Sequence, residues 1–260
     1  MKFQIDGGTL EYAVSGDGPA LLLLHAFPLG LFMWDAQAEA LAAHRVIRFD
    51  ARGFGLSDPG QGPLTMERIA DDGAALLEHL GVAKAVVGGC SMGGYAALAF
   101  VRRHPQRLAG LVLQDTRAGA DTEEAKAGRA TLAAKVLAEG ASAAVSAFLP
   151  KLLGETTKRE RLALVTGLEE RILATSPQAI ADALHGLAAR PDSGPTLATV
   201  RVPTLVLVGE EDVLTPPADS EAMAAAIPGA RLEVVPRAGH LANLERPDAV
   251  NAALRTFLTS

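Results

Sequence analysis

Six short runs of apolar, often β-branched residues punctuate the chain: "ALLLLH", "RVIRFD", "KAVVGGC", "RLAGLVLQD", "VPTLVLVGEED" and "RLEVVPRAGH". Each is bounded by turn residues or charge and shows little alternation, the pattern of strands covered on both faces in a parallel sheet. Between them apolar residues recur at helical spacing, as in Met66 to Leu80 and Tyr95 to Arg103. Strands alternating with helices predict an α/β fold with right-handed crossovers. The opening "KFQI" and "LEYAVSG", separated by "DGGT", predict an antiparallel hairpin instead.

From Arg117 to Pro195 the strand-like runs stop and alanine- and leucine-rich helical stretches follow one another. The expected helices are Thr122 to Ala138, Ser142 to Leu153, Lys158 to Ala174 and Pro177 to Ala189, with breaks near Gly140, Gly154 and Pro177. The segment 117–195 therefore reads as a helical cap inserted into a core made of residues 1–116 and 196–260, and "RPDSGP" marks the return to the sheet. A length of 260 residues suits one core with one insertion.

Charge narrows the partners: a net charge of -6 without any basic run argues against nucleic acid. The single cysteine, Cys90, cannot close an internal disulfide, which fits a reducing compartment. No export signal is evident in "MKFQIDGGTLEY", and Ala20 to Leu24 is far too short to cross a bilayer. The expectation is a soluble, cytoplasmic protein with no membrane partner.

The chemistry concentrates around "GGCSMGGYAALAF". Gly89-Cys90-Ser91-Met92-Gly93 is a G-x-S-x-G pattern between a strand-like and a helix-like run, where a sharp turn presents the serine and glycines avoid backbone collisions. A serine hydroxyl needs a base and a group that orients the base. Of six histidines, His240 follows a strand-like run in the loop "RAGHLANLERP". His44, His79 and His104 fall on or beside helices and read as surface positions, and His185 lies in the cap. For the acid, Asp212 in "GEEDVLTPP" follows the strand Thr204 to Val208, at the edge of a parallel sheet where ligands bind. Glu210 and Glu211 stand beside it, and Asp115, which ends "LVLQD", is the second choice. The order Ser91, Asp212, His240 is that of one known class of triad. The competing structural reading makes Ser91 a turn residue, Asp212 a helix N-cap and His240 a buried hydrogen-bonding group.

These motifs resemble the α/β-hydrolase superfamily, especially small capped carboxylesterases, 3-oxoadipate enol-lactonases and cofactor-free perhydrolases. The likeness covers nearly the whole chain, with "LLLLHAFPLGLFMW", "VIRFDARGFGLSD", "GGCSMGG", "VPTLVLVGEEDVLTPP" and "AGHLANLERP" in family order. It implies a mostly parallel eight-stranded sheet with flanking helices and a helical cap. It further implies hydrolysis of a small-molecule ester or lactone through an acyl-enzyme, with no cofactor and no metal. The resemblance assigns the two oxyanion-holding N–H groups to Met92 and Phe27, each worth roughly 3 kcal/mol in comparable sites. The family usually has His-Gly before the second donor, where this chain has His25-Ala26. Asp50 and Arg52 read as turn-stabilising residues, His25 as a residue that orients the oxyanion loop, and Cys90 as packing.

Mostly apolar cap side chains fit a pocket for short- to medium-chain acyl esters or lactones, and aromatic residues at 4% of the chain argue against a large aromatic-stacking site. Leu132, Val136, Val145, Phe148, Leu149, Leu168 and Ile172 are cap side chains that line the pocket or pack the cap on the sheet. Arg117, Arg129 and Lys135 are the cations available to a charged substrate. Two alternatives stand beside ester hydrolysis: perhydrolysis on the same triad, and a non-catalytic receptor for a small ligand on the same fold.

Overall fold

Burial on both faces explains why the apolar runs become the centre of a sheet. In the computed structural model, which describes residues 1–259, the strands are β1 (Lys2–Ile5), β2 (Gly8–Ser15), β3 (Ala20–Leu24), β4 (Arg45–Phe49), β5 (Ala85–Cys90), β6 (Leu108–Gln114), β7 (Thr204–Gly209) and β8 (Arg231–Val235). Leu21 to Leu24 and all of β7 are buried, so hardly a side chain of these central strands meets water. Burying each such leucine or valine contributes about 1.5–3 kcal/mol.

The strand order is β1-β2-β4-β3-β5-β6-β7-β8. The β1–β2 and β2–β4 pairs are antiparallel, and all other pairs are parallel. The expected hairpin is present, with Phe3 opposite Leu10. From β3 the chain moves outward to β4 and then returns to β5 on the other side of β3. The loops after β3 and β5 thus diverge at one point of the C-terminal edge, where open α/β sheets form their ligand crevice.

The helices are α1 (Asp35–Ala40), α2 (Met66–His79), α3 (Met92–Arg103), α4 (Glu123–Glu139), α5 (Ser142–Leu152), α6 (Glu155–Glu160), α7 (Leu162–Leu173), α8 (Pro177–Ala189), α9 (Gly194–Leu197), α10 (Pro217–Ala226), α11 (Ala242–Glu245) and α12 (Pro247–Leu258). Helix α2 packs on α3, and α1 on α12, in two separate groups flanking the sheet. Helices α4 to α9 all lie between β6 and β7, where the sequence predicted only helices, and α4 packs along α8.

Two boundaries differ from expectation. The helix expected from Lys158 to Ala174 is two helices, because Arg161 leaves helical geometry (φ −130°, ψ 58°) and turns its guanidinium to the carbonyls of Leu244 and Glu245. Helix α3 starts at Met92, three residues before the expected Tyr95, because Ser91 itself is the corner. No helix among the described residues is long and apolar enough to cross a membrane.

Candidate active site

Strand β5 delivers Ser91 to the edge of the sheet, and α3 begins with the next residue. Ser91 has φ 53° and ψ −112°, a strained conformation for a non-glycine residue that costs on the order of 1–3 kcal/mol. Neighbouring structure holds it there: Ser91 N–H donates to Gln114 O at 3.0 Å, and its carbonyl accepts from Tyr95 N–H at 3.1 Å and Thr116 Oγ1 at 2.9 Å. The flanking glycines are required by space. A Cβ at Gly89 would lie 2.0 Å from Gly93 O, and one at Gly93 would lie 2.1 Å from Leu24 O. Glycine at both flanking positions of the G-x-S-x-G pattern thus lets the strand, corner and helix close together.

His240 and Asp212 come from the loops after β8 and β7, and meet as a buried pair with Nδ1 2.9 Å from Asp212 Oδ2. Asp212 also accepts from Thr215 Oγ1 at 2.6 Å and, through Oδ1, from the N–H groups of Leu214 at 2.8 Å and Thr215 at 3.1 Å. Burial opposes the Asp212 charge, but His240 and the Thr215 hydrogen bonds hold its carboxyl below the usual carboxylate range. A carboxylate at Nδ1 fixes the ring proton on that nitrogen and leaves Nε2 as the acceptor.

Asp115, the second choice for the acid, is fully buried but does not contact the His240 ring. Its oxygens accept from Gly209 N–H at 2.7 Å, Gln114 Nε2 at 3.0 Å and Ala242 N–H at 3.3 Å, bracing both loops from below. Burial, with the Asp212 charge added, pushes the Asp115 carboxyl well above its ordinary value. Glu210 receives Arg237 N–H and Glu211 receives Thr156, so both are used elsewhere.

The loop after β3 holds Phe27. His25 accepts from Ala51 N–H through Nε2 at 2.9 Å, so Nδ1 carries the proton and donates to Ala26 O at 3.0 Å. Burial lowers the His25 pKa, consistent with this neutral bridge between the two loops. Asp50 completes the brace by accepting from Leu31 N–H at 2.7 Å and Leu56 N–H at 3.1 Å. Arg52 forms a bidentate pair with Asp72, both contacts 2.7 Å. Ala26 is not among the residues with positive φ, so alanine replaces the family's glycine without strain. Met92 opens α3, and its N–H lies ahead of the helical hydrogen-bond ladder. Cys90 is buried, its Sγ 3.6 Å from His240 O, and burial pushes its thiol up, as expected of a packing residue.

Ser91 and His240 open on one small cavity of about 60 Å³, also lined by Phe27, Tyr95, Arg117, Arg129, Phe148, Leu152, Leu187, Leu214 and Thr215. Phe27 meets Phe148 edge-on at 5.1 Å, so α5 sits directly over the loop after β3. Two guanidiniums and no carboxylate line this cavity. Arg117 Nη2 donates to Leu214 O at 2.5 Å, Arg129 pairs with Asp121, and Asp121 is shared with Arg190 at 2.8 Å. Lys135, the third expected cation, is exposed beside Glu139 and does not reach the cavity. A larger groove of about 720 Å³ runs between Tyr12, Leu29–Phe32, Arg171 and Ala174–Ser176, and neither Ser91 nor His240 borders it.

Residues 19–247 match the family described as alpha/beta hydrolase fold. The chain belongs to that family. Among solved structures it is similar to a thermophilic esterase from Thermogutta terrifontis with malate bound, at 44% identity and a TM-score of 0.95, covering 97% of this chain and 93% of the other. It is also similar to the enol-lactonase from Burkholderia xenovorans, at 30% identity and a TM-score of 0.93, with both chains covered completely. A curated relative, 3-oxoadipate enol-lactonase 2 of Acinetobacter baylyi, is 30% identical over 254 residues, 96% of this chain and 92% of the relative.

Sequence reasoning did not find Thr215, whose hydroxyl touches Asp212. A signal was present, since Asp212 and Thr215 stand three apart in a proline-rich loop, the spacing of a side-chain-to-backbone turn. Glu245 was also missed, although it lies in the "AGHLANLERP" stretch that carries part of the family resemblance.

Proposed function

We propose that this α/β-hydrolase cleaves carboxylic esters, lactones included, through an acyl-enzyme, with Ser91 as nucleophile, His240 as base and Asp212 as orienting acid. The observation that carries the reading is the buried His240–Asp212 pair at 2.9 Å beside a cavity that Ser91 also lines. His240 Nε2 takes the Ser91 proton as Oγ bonds to the substrate carbonyl carbon. The N–H groups of Met92 and Phe27 hold the resulting oxyanion. His240 then gives its proton to the departing alcohol oxygen as the ester bond breaks. A water molecule attacks the acyl-enzyme, passes a proton to His240 and releases the acid, and the proton returns to Ser91. Within this scheme residues 117–195 act as a cap over a core of 1–116 and 196–260.

The substrate favoured by the cavity carries a carboxylate or a comparable anion on its acyl side, because Arg117 and Arg129 line it while their carboxylate partners, Asp219 and Asp121, lie outside the lining. The similarity to a 3-oxoadipate enol-lactonase agrees with an anionic lactone. The test is a fluorophosphonate probe together with p-nitrophenyl butyrate turnover. Wild type is expected to be labelled and active, and Ser91→Ala to be neither. A wild-type protein that the probe leaves unmodified would support the receptor reading instead.

A further inference from the structure

Glu245 is buried at 1% exposure although it lies outside the proposed triad. Its Oε1 accepts from Gly239 N–H at 2.9 Å and Leu241 N–H at 3.2 Å, the residues on either side of His240. Its Oε2 accepts from Gly154 N–H at 2.9 Å, in the turn between α5 and α6. One carboxylate thus ties the histidine loop to the inserted helices. Glu211, next to Asp212, makes the parallel connection by accepting from Thr156 N–H at 2.9 Å and Thr156 Oγ1 at 2.5 Å. The two loops also join each other, since Glu211 N–H donates to Ala238 O at 2.7 Å.

The contact leaves no slack. A Cβ at Gly239 would lie 2.2 Å from Gly154 N, and a Cβ at Gly154 would lie 2.5 Å from Glu211 Oε2. Leu152, two residues before Gly154, lines the cavity that holds Ser91 and His240. That cavity, about 60 Å³, is well below the roughly 300 Å³ at which pockets for drug-sized ligands begin. The wall of that cavity at Leu152 is therefore anchored, through Gly154, to the loop that carries His240.

Resting on the assignment of His240 as base, we infer that Glu245 is a positioning residue that couples the 153–156 segment to His240, so that cap placement and histidine alignment are set together. It touches neither substrate nor the reacting atoms. Its three acceptor bonds fix the backbone that carries the ring, and a displacement of about 1 Å at a catalytic group costs on the order of 100-fold in rate.

Glutamine and alanine at this position separate the two halves of the clamp. In Glu245→Gln the single remaining oxygen serves the side with two donors, Gly239 and Leu241, and the amide faces Gly154 N–H, which loses its acceptor. This variant is expected to keep kcat within about threefold of wild type while KM for p-nitrophenyl butyrate rises about fivefold. Hydrogen exchange should quicken in peptides covering 153–156 and stay slow at 239–241. In Glu245→Ala both sides are released, exchange quickens in both segments, and kcat falls about 100-fold, with the fluorophosphonate rate falling in parallel.

A folded Glu245→Ala enzyme with wild-type kcat overturns the coupling, and so does a Glu245→Gln enzyme whose 153–156 amides stay protected. If the alanine variant does not fold, the exchange pattern and the KM-against-kcat split of the glutamine variant decide. Turnover retained by Ser91→Ala would remove the hydrolytic reading, and the proposal with it. Loss of turnover there beside unaltered Glu245 variants removes the coupling alone.

Discussion

Replacing Asp212 by asparagine isolates the orientation of His240 from the shape of the site. The amide fits the same space, and its oxygen can still accept from Leu214 and Thr215 N–H, at 2.8 and 3.1 Å in wild type. Its NH2 then faces His240 Nδ1, where Asp212 Oδ2 stood at 2.9 Å. A donor opposite Nδ1 forces that nitrogen to accept, and the ring proton moves to Nε2. The histidine is held in place in the wrong tautomer and cannot take the serine proton. In relays of this kind the loss is about 10⁴-fold in kcat, or about 5.5 kcal/mol of transition-state stabilisation. Steady-state hydrolysis of p-nitrophenyl butyrate by Asp212→Asn, with a thermal melt to establish folding, measures it. Asp115→Asn is the control, because Asp115 braces backbone and not the ring: it is expected to lose about 1–3 kcal/mol of stability and less than tenfold in kcat. A folded Asp212→Asn enzyme within tenfold of wild type, or an Asp115 variant that loses more activity than it, would refute the reasoning.

Three further outcomes are expected. Arg117→Gln and Arg129→Gln should each lower kcat/KM about tenfold for an ester bearing an acyl-side carboxylate and leave a neutral ester of equal length within about twofold, since a charge-assisted hydrogen bond contributes roughly 1.5–3 kcal/mol; equal losses on both substrates would contradict the proposed anion site. Arg52→Met strands the buried Asp72 carboxylate and should cost about 3–5 kcal/mol in urea unfolding. The Asp212 carboxyl is held below its ordinary value in the folded chain, so its contribution to stability is present above the unfolded value of about 3.9 and is lost as pH falls through the folded one. Wild type should accordingly lose more urea resistance between pH 5 and pH 3, both set by that approximate value, than Asp212→Asn, and identical losses would contradict this assignment.

Much of this protein was legible in its sequence because the information was local. Strands buried on both faces are largely apolar, so β3, β5, β6 and β7 announced themselves, and the disappearance of such runs after Arg117 marked the inserted helices. The corner at Ser91 was legible for a steric reason: only glycine fits at 89 and 93 where the backbones of β3 and α3 close in. That Ser91, Asp212 and His240 all follow strands and leave one edge of the sheet was legible from the strand-like runs that precede them. The break at Arg161 was not legible, because a distant pair of carbonyls draws that side chain out of an otherwise helical run.

Contacts between loops far apart in the chain were decided only by the tertiary structure. Asp212 and Asp115 are both acids at strand ends, and sequence ranks them without separating them; the three-dimensional register of β6, β7 and β8 points one at the histidine ring and the other at two backbone amides. The same holds for the cations, since Arg117 and Arg129 reach the cavity while Lys135, six residues beyond Arg129, faces away. Glu245 is the clearest case: its meaning lies in three N–H groups, one of them 91 residues away. Residue type and local spacing fix the secondary structure and the chemical groups on offer, because steric and burial constraints act over a few residues. Which groups meet depends on packing between segments whose separation along the chain carries no signal of their distance in space.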